Sequence, residues 1–123
     1  MEIHESAEDY LETILVLTEK IGNVRSVDIS NEMGYKKSSV SVAMKNLRNT
    51  GHITVDENGY IRLTPLGKEV ADMIYERHKF FSSWLINLGV DKKIALEDAC
   101  RIEHVISKES FAAMKEFLNS KTN

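Results

Sequence analysis

The sequence predicts a mostly α-helical fold in which one short β-hairpin interrupts a series of helices. Apolar residues recur at helical spacing through most of the 123 residues. Asn58-Gly59 stands between two short β-prone runs, a pattern typical of a hairpin with a type I′ turn. One proline and six glycines leave room for few linkers. These observations indicate one domain, or two small domains that share a core.

The composition is ordinary for a globular protein, with 42% hydrophobic residues. No apolar run approaches the ~18 residues of a membrane helix, and the acidic segment 1–5 lacks the basic flank of a secretion signal. The single cysteine, Cys100, forms no internal disulfide, which fits a reducing compartment. The sequence therefore predicts a cytoplasmic protein without membrane association.

Charge is distributed unevenly along the chain. Residues 25–68 contain seven Lys and Arg against four Asp and Glu, a balance of +3. Because the whole chain has a net charge of −3, the remainder carries −6. Such charges are often only solvated surface, but the asymmetry favours one segment that faces phosphate and another that binds cations.

The first helix is predicted to begin near Ser6, whose hydroxyl is suited to cap it, with Asp9 three residues later. Gly22 is the expected stop. The apolar stripe consists of Ala7, Leu11, Ile14, Leu15 and Leu17. Asp9 and Glu12 are three residues apart and lie on neighbouring positions. They either favour the positive end of the helix dipole or serve as metal ligands.

Residues 26–49 predict a helix, a tight turn and a second helix. Ser26–Met33 form the first helix, and Gly34 ends it in a left-handed conformation. The second helix runs from about Lys37 to Asn49. Its inward positions are Val40, Met44 and Leu47. Hydroxyls and free N–H groups at its start are suited to bind phosphates, so the pair is a helix-turn-helix with a recognition helix.

A β-hairpin follows, with strands predicted in the runs 52–56 and 60–63. A two-stranded ribbon at this place is a wing. Arg62 is placed to contact the DNA backbone or minor groove, whereas His52 is expected at a solvent-facing strand position. The combination predicts a winged helix-turn-helix DNA-binding domain over residues 1–66.

Thr64 and Pro65 start a long helix of about 24 residues, or 36 Å, which is longer than the winged domain needs. Two more helices are predicted from Asp91 to about Ile106 and from Ser107 to about Asn119. They carry more apolar surface than they bury alone. We therefore expect a helical domain over residues 67–123 in which a second copy covers this surface and forms a homodimer.

The segment Asp98–His104 contains the most distinctive side chains. Cys100 and His104 are four residues apart and Cys100 and Glu103 three apart, so the three converge on one helix. A thiolate, a carboxylate and an imidazole together suit a first-row transition metal. The alternative is a small buried cysteine beside solvated side chains. Further candidate ligands elsewhere in the chain are Asp9, Glu12 and His78.

The order of these parts resembles the DtxR/MntR family of metal-dependent transcriptional repressors. The likeness is carried by five segments, Glu8-Asp9-Tyr10-Leu11-Glu12, Ser38-Ser39-Val40-Ser41, Leu63-Thr64-Pro65-Leu66-Gly67-Lys68, Arg77-His78 and Ala99-Cys100-Arg101-Ile102-Glu103-His104. The resemblance implies a cytoplasmic homodimer that represses by binding double-stranded operator DNA when its metal is plentiful. It also implies a short form without the family's SH3-like domain.

The resemblance implies a metal site formed by Asp9, Glu12, His78, Cys100, Glu103 and His104. Asp9 and Glu12 resemble the manganese-sensing branch, which has glutamate at the position of Cys100. Cys100 resembles the iron-sensing branch, which has methionine at the position of Asp9. The expected cofactor is therefore a divalent transition metal, Mn(II) or Fe(II), and the expected role is in manganese or iron homeostasis.

The DNA contacts are expected on one basic surface formed by Arg25, Lys36, Lys37, Ser38, Ser39, Ser41, Val42, Lys45, Arg48 and Arg62. Ser38 and Val42 are placed to reach base edges. An alternative function is a winged-helix regulator that responds to a non-metal signal. An enzyme is not expected, because Cys100 and His104 lack an evident oxyanion hole or third orienting group. We expect no small organic substrate.

Overall fold

This computed structural model describes residues 5–122 of the chain. The helices are α1 (Glu5–Ile21), α2 (Ser26–Met33), α3 (Lys37–Asn49), α4 (Pro65–Asn87), α5 (Lys92–Ile102) and α6 (Lys108–Thr122). The strands are β1 (Ile53–Val55) and β2 (Ile61–Leu63). The chain divides into two compact units, residues 1–75 and 76–123. No described helix has the length and apolarity needed to span a membrane.

Helix α1 begins earlier than predicted. Ser6 lies inside the helix, so it is not the N-cap, and residues 1–4 lie outside the described part of the chain. The helix ends as predicted, because Gly22 has a φ of 80° and its N–H donates to the Thr18 carbonyl at 3.0 Å. The predicted apolar stripe is buried at Leu11, Ile14, Leu15 and Leu17.

The core of the first unit joins α1, α2, α3 and the hairpin. Leu11 and Ile14 of α1, Ile29 of α2 and Val40 of α3 are fully buried there. Burying side chains of this size stabilises a fold by about 1.5–3 kcal/mol each. Helices α2 and α3 have the predicted bounds, and Gly34 closes α2 in a left-handed conformation. The inward face of α3 is therefore fixed by the core, which leaves its opposite face to solvent.

The wing pairs β1 with β2 in antiparallel register, Ile53 opposite Leu63 and Val55 opposite Ile61. It is also attached to the segment after α1, because the Ile61 N–H donates to the Val24 carbonyl at 2.7 Å. The wing therefore has a fixed base on the first unit.

The turn of the wing is not the type I′ turn that Asn58-Gly59 predicts. Gly59 has a φ of 82°, but Asn58 does not have a positive φ, since only glycines do within residues 5–122. The Gly59 N–H donates to the Asp56 carbonyl at 3.0 Å. The Asp56 carboxylate accepts from the N–H groups of Asn58 and Tyr60 at 2.9 Å each. The loop is a type I turn followed by a left-handed glycine, and the aspartate favours it by satisfying two backbone donors.

His52 is buried rather than solvent-facing, with 6% of its surface exposed. Its Nδ1 lies 2.7 Å from the Thr50 hydroxyl, and burial lowers the pKa of its imidazole from 6.5. Its carbonyl accepts from the Thr64 N–H at 3.1 Å. A side chain at Gly67 would overlap that carbonyl oxygen, so the start of α4 packs on His52 only because residue 67 is glycine.

Helix α4 starts as predicted, with Pro65 as its first residue. The Thr64 hydroxyl accepts from the Gly67 N–H at 3.2 Å, which is the expected N-cap bond. The boundary between the two units falls inside α4, between Tyr75 and Glu76. One helix therefore contributes residues to both units.

Helix α5 is shorter than predicted, since it ends at Ile102 and not at Ile106. Beyond it, the Arg77 Nη1 donates to the carbonyls of Glu103 at 3.1 Å and Ile106 at 2.6 Å. Because these carbonyls bond to a side chain, the chain turns there before α6. The Ser107 hydroxyl then caps α6 by accepting from the Ser110 N–H at 3.0 Å, as predicted.

The core of the second unit is small and aromatic. Phe81 of α4, Ala99 of α5 and Phe111 of α6 are buried at its centre, with Phe80 and Trp84 packed against them. Several large apolar side chains of this unit are exposed, namely Ile86, Leu88, Ile94, Leu96, Val105 and Phe117. This exposed apolar surface agrees with the expected surplus on the last two helices.

Candidate metal centre and nucleic-acid interface

His78, Cys100 and Glu103 come together in the second unit. One possible ligand atom from each lies within 4.8 Å of the other two. Bonds from a first-row metal to such atoms are about 2.0–2.3 Å long, so two ligands of one ion lie up to roughly 4.5 Å apart. The three side chains are therefore close to the spacing of a shared ion.

Glu103 is the centre of this cluster and has 0% of its surface exposed. Its Oε2 lies 2.9 Å from the His78 Nδ1. Its Oε1 makes no hydrogen bond within the described residues, although the His104 Nε2 lies 3.4 Å away. A buried carboxylate oxygen without a hydrogen bond is costly. A bound cation would satisfy that oxygen, so the side chains present fit a metal ion.

The sequence predicted that Cys100, Glu103 and His104 lie on one helix. This is wrong for Glu103 and His104, which lie beyond the end of α5. Cys100 lies on α5, Glu103 is the residue that caps its end, and His104 lies in the turn that follows. The His104 side chain is 1% exposed, whereas Cys100 is exposed. The cluster therefore draws on α4, α5 and a turn, which sequence spacing alone does not predict.

Asp9 and Glu12 lie in the first unit, on α1, and both are half-buried. They are three residues apart on that helix, so they lie close to each other as predicted. The side chains of the second unit offer a carboxylate, imidazoles and a thiol, a mixed set that suits borderline metals better than Mg²⁺ or Ca²⁺.

All ten residues predicted to contact DNA are exposed, and seven of them lie on α3. Val42 is the most informative, because it is apolar and yet 61% exposed. Val40 and Met44 face the core on the other side of the helix. The first turn of α3 begins after Lys36, so its free N–H groups lie among hydroxyls and lysines. This arrangement suits phosphate and base-edge contacts.

Two arginines at the base of the wing are held in place. The Arg62 Nη2 donates to the Asn23 Oδ1 at 3.2 Å. The Arg25 guanidinium carbon lies 4.7 Å from the centre of the Tyr60 ring. These contacts reduce the side-chain freedom that either arginine would lose on binding phosphate.

Tyr35, which the sequence analysis did not single out, is exposed in the turn between α2 and α3, beside the residues predicted to contact DNA. Its carbonyl accepts from the Ser30 hydroxyl at 2.6 Å, and its ring centre lies 6.0 Å from that of Tyr10. Burial, with a smaller effect from Tyr35, raises the pKa of Tyr10. An aromatic residue in a short basic turn is the sequence feature that could have identified Tyr35 as a candidate.

The winged helix-turn-helix and the cluster around Glu103 define a class of protein. An exposed basic recognition helix in the first unit is the apparatus of a transcriptional regulator. A buried carboxylate between two imidazoles, with a thiol nearby, is a candidate metal centre in the second unit. The class is therefore a DNA-binding regulator that responds to a metal.

The chain belongs to the iron-dependent repressor family. Residues 2–62 match the family's N-terminal DNA-binding domain, and residues 64–123 match its metal-binding and dimerisation domain. The chain is 34% identical over 116 residues to an uncharacterized HTH-type transcriptional regulator of Methanocaldococcus jannaschii, covering 93% of each. It is 34% identical over 113 residues to the transcriptional regulator MntR of Salmonella typhimurium, covering 92% of this chain and 72% of that protein.

Solved structures give the same result. The manganese regulator SloR superposes with a TM-score of 0.82 at 27% identity. The IdeR of T. acidophilum superposes with a TM-score of 0.80 at 28% identity. Each match covers 97% of this chain and 55% of the solved one, so the chain spans about half their length.

These comparisons confirm the predicted resemblance to the DtxR/MntR repressors and the mostly α fold with a winged helix and a helical dimerisation domain. The relatives are transcriptional regulators and not enzymes, as expected. A regulator of a non-metal signal is not favoured, because the second half of the chain matches a metal-binding domain. The family supports a divalent metal as cofactor.

Proposed function

We propose that this protein is a cytoplasmic repressor of manganese or iron homeostasis that binds operator DNA as a metal-loaded homodimer. The observation that carries the proposal is the fully buried Glu103 carboxylate, which lies between two imidazoles and has one oxygen without a hydrogen bond to any residue of the described segment 5–122. A carboxylate so placed needs a cation, and its neighbours are metal ligands.

We assign the metal site to His78, Cys100, Glu103 and His104 of the second unit, with Asp9 and Glu12 of the first unit completing it. The first four are supported by the distances around Glu103. The last two are supported by the resemblance of Glu8-Asp9-Tyr10-Leu11-Glu12 to the family's ligand segment. When bound, the ion supplies positive charge that offsets the carboxylates.

The choice between Mn(II) and Fe(II) depends on Cys100. Carboxylates and imidazoles accept either ion, whereas a thiolate is the softer ligand and favours Fe(II). Among similar proteins, one solved structure is a manganese-dependent repressor in complex with manganese, at 26% identity. Asp9 and Glu12 support manganese and Cys100 supports iron, so we propose that the site accepts both.

We propose that residues 1–66 bind DNA and residues 67–123 bind metal and form the dimer. Ser38 and Val42 contact base edges in this proposal, and the phosphate contacts are made by Arg25, Lys36, Lys37, Ser39, Ser41, Lys45, Arg48 and Arg62. Their common exposure supports this assignment. Tyr35 joins the same surface, since a phenol hydroxyl also donates to phosphate.

A second copy of the chain is the proposed partner of the exposed apolar surface of the second unit. Val105 and Leu88 are the most exposed large apolar side chains among the described residues of this unit, and contact with a second copy would remove them from water. A two-fold dimer also places two recognition helices on one duplex, which is how helix-turn-helix proteins read palindromic sites.

In this proposal, ligands from both units connect the DNA-binding domain to the dimerisation domain. The metal-loaded dimer then favours the spacing of recognition helices that matches DNA, and DNA in turn favours metal binding. A coupling of about 1–3 kcal/mol, or 5- to 150-fold in affinity, is typical of such linkage.

Exchange of Glu103 for glutamine tests the site. Glu103→Gln keeps the shape but removes the charge, so we expect the affinity for Mn(II) to fall at least about tenfold, as it does when a ligand shell is disturbed. Free Mn(II) is measured by electron paramagnetic resonance as protein is added. Glu97→Gln, an exposed position on α5, is the matched control and should bind like the wild type. Equal affinity of the wild type and Glu103→Gln would refute the site.

A further inference from the structure

We propose that Arg77 is a positioning residue for the metal ligands, because it holds the turn that carries Glu103 and His104. The inference rests on the proposed metal site and adds a residue that is not itself a ligand. Arg77 precedes His78 on α4 and lies in the second unit with the rest of the cluster.

The guanidinium group bonds to both ends of the turn. Its Nη1 donates to the Glu103 carbonyl at 3.1 Å and to the Ile106 carbonyl at 2.6 Å. Helix α5 has ended at Ile102, so neither carbonyl continues a helix. His104 lies between the two anchored residues, and the side chain of Glu103 starts from one of them. Arg77 therefore fixes the backbone from which two proposed ligands project.

The same group is fixed on its other side by an aromatic ring. The Arg77 guanidinium carbon lies 5.2 Å from the centre of the Phe111 ring, and Phe111 is buried in the core of the second unit. A planar guanidinium suits both a stacked ring and two carbonyl acceptors. The core thus supports the arginine, and the arginine supports the turn.

Packing alone does not account for an arginine at this place. Arg77 is 5% exposed, and its Nε makes no hydrogen bond within residues 5–122. A buried charge with an unsatisfied donor is costly, and a methionine of similar length would fill the volume without that cost. The two carbonyl bonds are what an apolar residue cannot provide.

Without these bonds the turn has more conformations, and ordering it on metal binding then costs conformational entropy, which weakens the affinity. Groups that orient metal ligands typically contribute 10- to 100-fold to metal affinity. We expect about that loss for Arg77→Met. Arg77→Lys restores a donor but not the planar fork, so its loss should be smaller.

Co(II) is a suitable probe, because its visible absorption reports both affinity and the number and type of ligands. The variants are Arg77→Met and Arg77→Lys, with Lys115→Met as matched control. The Lys115 Nζ also lies 5.2 Å from the Phe111 ring, and it pairs with Glu76 at 3.2 Å rather than with the turn. Circular dichroism and thermal melting of the metal-free proteins verify that each variant is folded.

We expect Arg77→Met to bind Co(II) about 10- to 100-fold more weakly with an altered spectrum, Arg77→Lys to be intermediate, and Lys115→Met to match the wild type. Wild-type affinity and spectrum in a folded Arg77→Met would overturn the inference and leave the metal site intact. If Arg77→Met does not fold, wild-type behaviour of Arg77→Lys would overturn it equally. A wild-type protein that does not bind Co(II) would refute the metal site itself.

Discussion

The two units of the chain bury different kinds of side chain. In the first unit the buried residues are almost all apolar, and most of the side chains proposed to contact DNA lie on the surface of α3 and the wing. In the second unit a carboxylate and a guanidinium, Glu103 and Arg77, are buried beside a small aromatic core. A DNA-binding surface needs a rigid apolar support, whereas a metal centre needs polar groups held away from water. The second unit therefore has a smaller apolar core, because part of its interior holds these polar groups.

The largest effect is expected from a substitution in the apolar core of the first unit. Leu11 is fully buried where α1 packs on the core. Leu11→Ala should lower the free energy of unfolding by about 2–5 kcal/mol, because it removes apolar contacts and leaves a cavity. Urea denaturation followed by circular dichroism measures this.

Leu66→Ala, at an exposed position of α4, is the control and should cost far less. Equal losses of unfolding free energy for Leu11→Ala and Leu66→Ala would contradict this account of the first unit.

A smaller effect is expected from the surface of α3. Lys45→Ala should weaken DNA binding similarly for all sequences and reduce the slope of log affinity against log salt by about 1, since one phosphate contact is lost. Val42→Ala should leave that slope unchanged and alter the preference at one base position. Fluorescence anisotropy at several salt concentrations separates the two results, and identical behaviour of the two variants would contradict the assignment of α3.

The smallest effect concerns His52, a buried polar group of the first unit. Burial lowers its pKa from 6.5, so the unfolded chain binds a proton there at a pH at which the folded protein does not. Its contribution to stability is therefore present above pH 6.5 and is lost as the pH falls from 6.5 towards the folded pKa.

His52→Gln should flatten the dependence of unfolding free energy on pH in that range, measured on metal-free protein by urea denaturation. The two proteins are otherwise identical in sequence, so the difference between the two curves isolates His52. Parallel curves would mean that His52 is protonated equally in the folded and unfolded chains.

The sequence predicted the first unit more accurately than the second. The bounds of α2 and α3 were correct because Gly34 and the spacing of Val40, Met44 and Leu47 are local signals. The wing was correct, but its turn type was not. Asn-Gly permits a type I′ turn, but the Asp56 carboxylate favours a type I turn followed by a left-handed glycine, because it accepts hydrogen bonds from two N–H groups.

In the second unit the predicted end of α5 was wrong, because the contact that we associate with the end of this helix comes from a residue 26 positions away in the sequence. The Arg77 side chain donates hydrogen bonds to the carbonyls of Glu103 and Ile106. No residue near Ile102 indicates from the local sequence that the helix ends there. The proximity of Cys100 and Glu103 followed from their spacing. The proposed role of His78 as a metal ligand depended on the resemblance to the family, since a lone histidine on α4 has no pattern of its own.

The central claim is that metal controls DNA binding. We would measure anaerobic binding of the wild-type protein to the DNA upstream of its own gene by fluorescence anisotropy, at one fixed salt concentration, with Mn(II), Fe(II) or a chelator. The proposal predicts that Mn(II) or Fe(II) raises the affinity 5- to 150-fold over the chelated protein, as typical linkage requires. Specific, tight binding that the chelator leaves unchanged would contradict it and reduce the cluster around Glu103 to a structural feature.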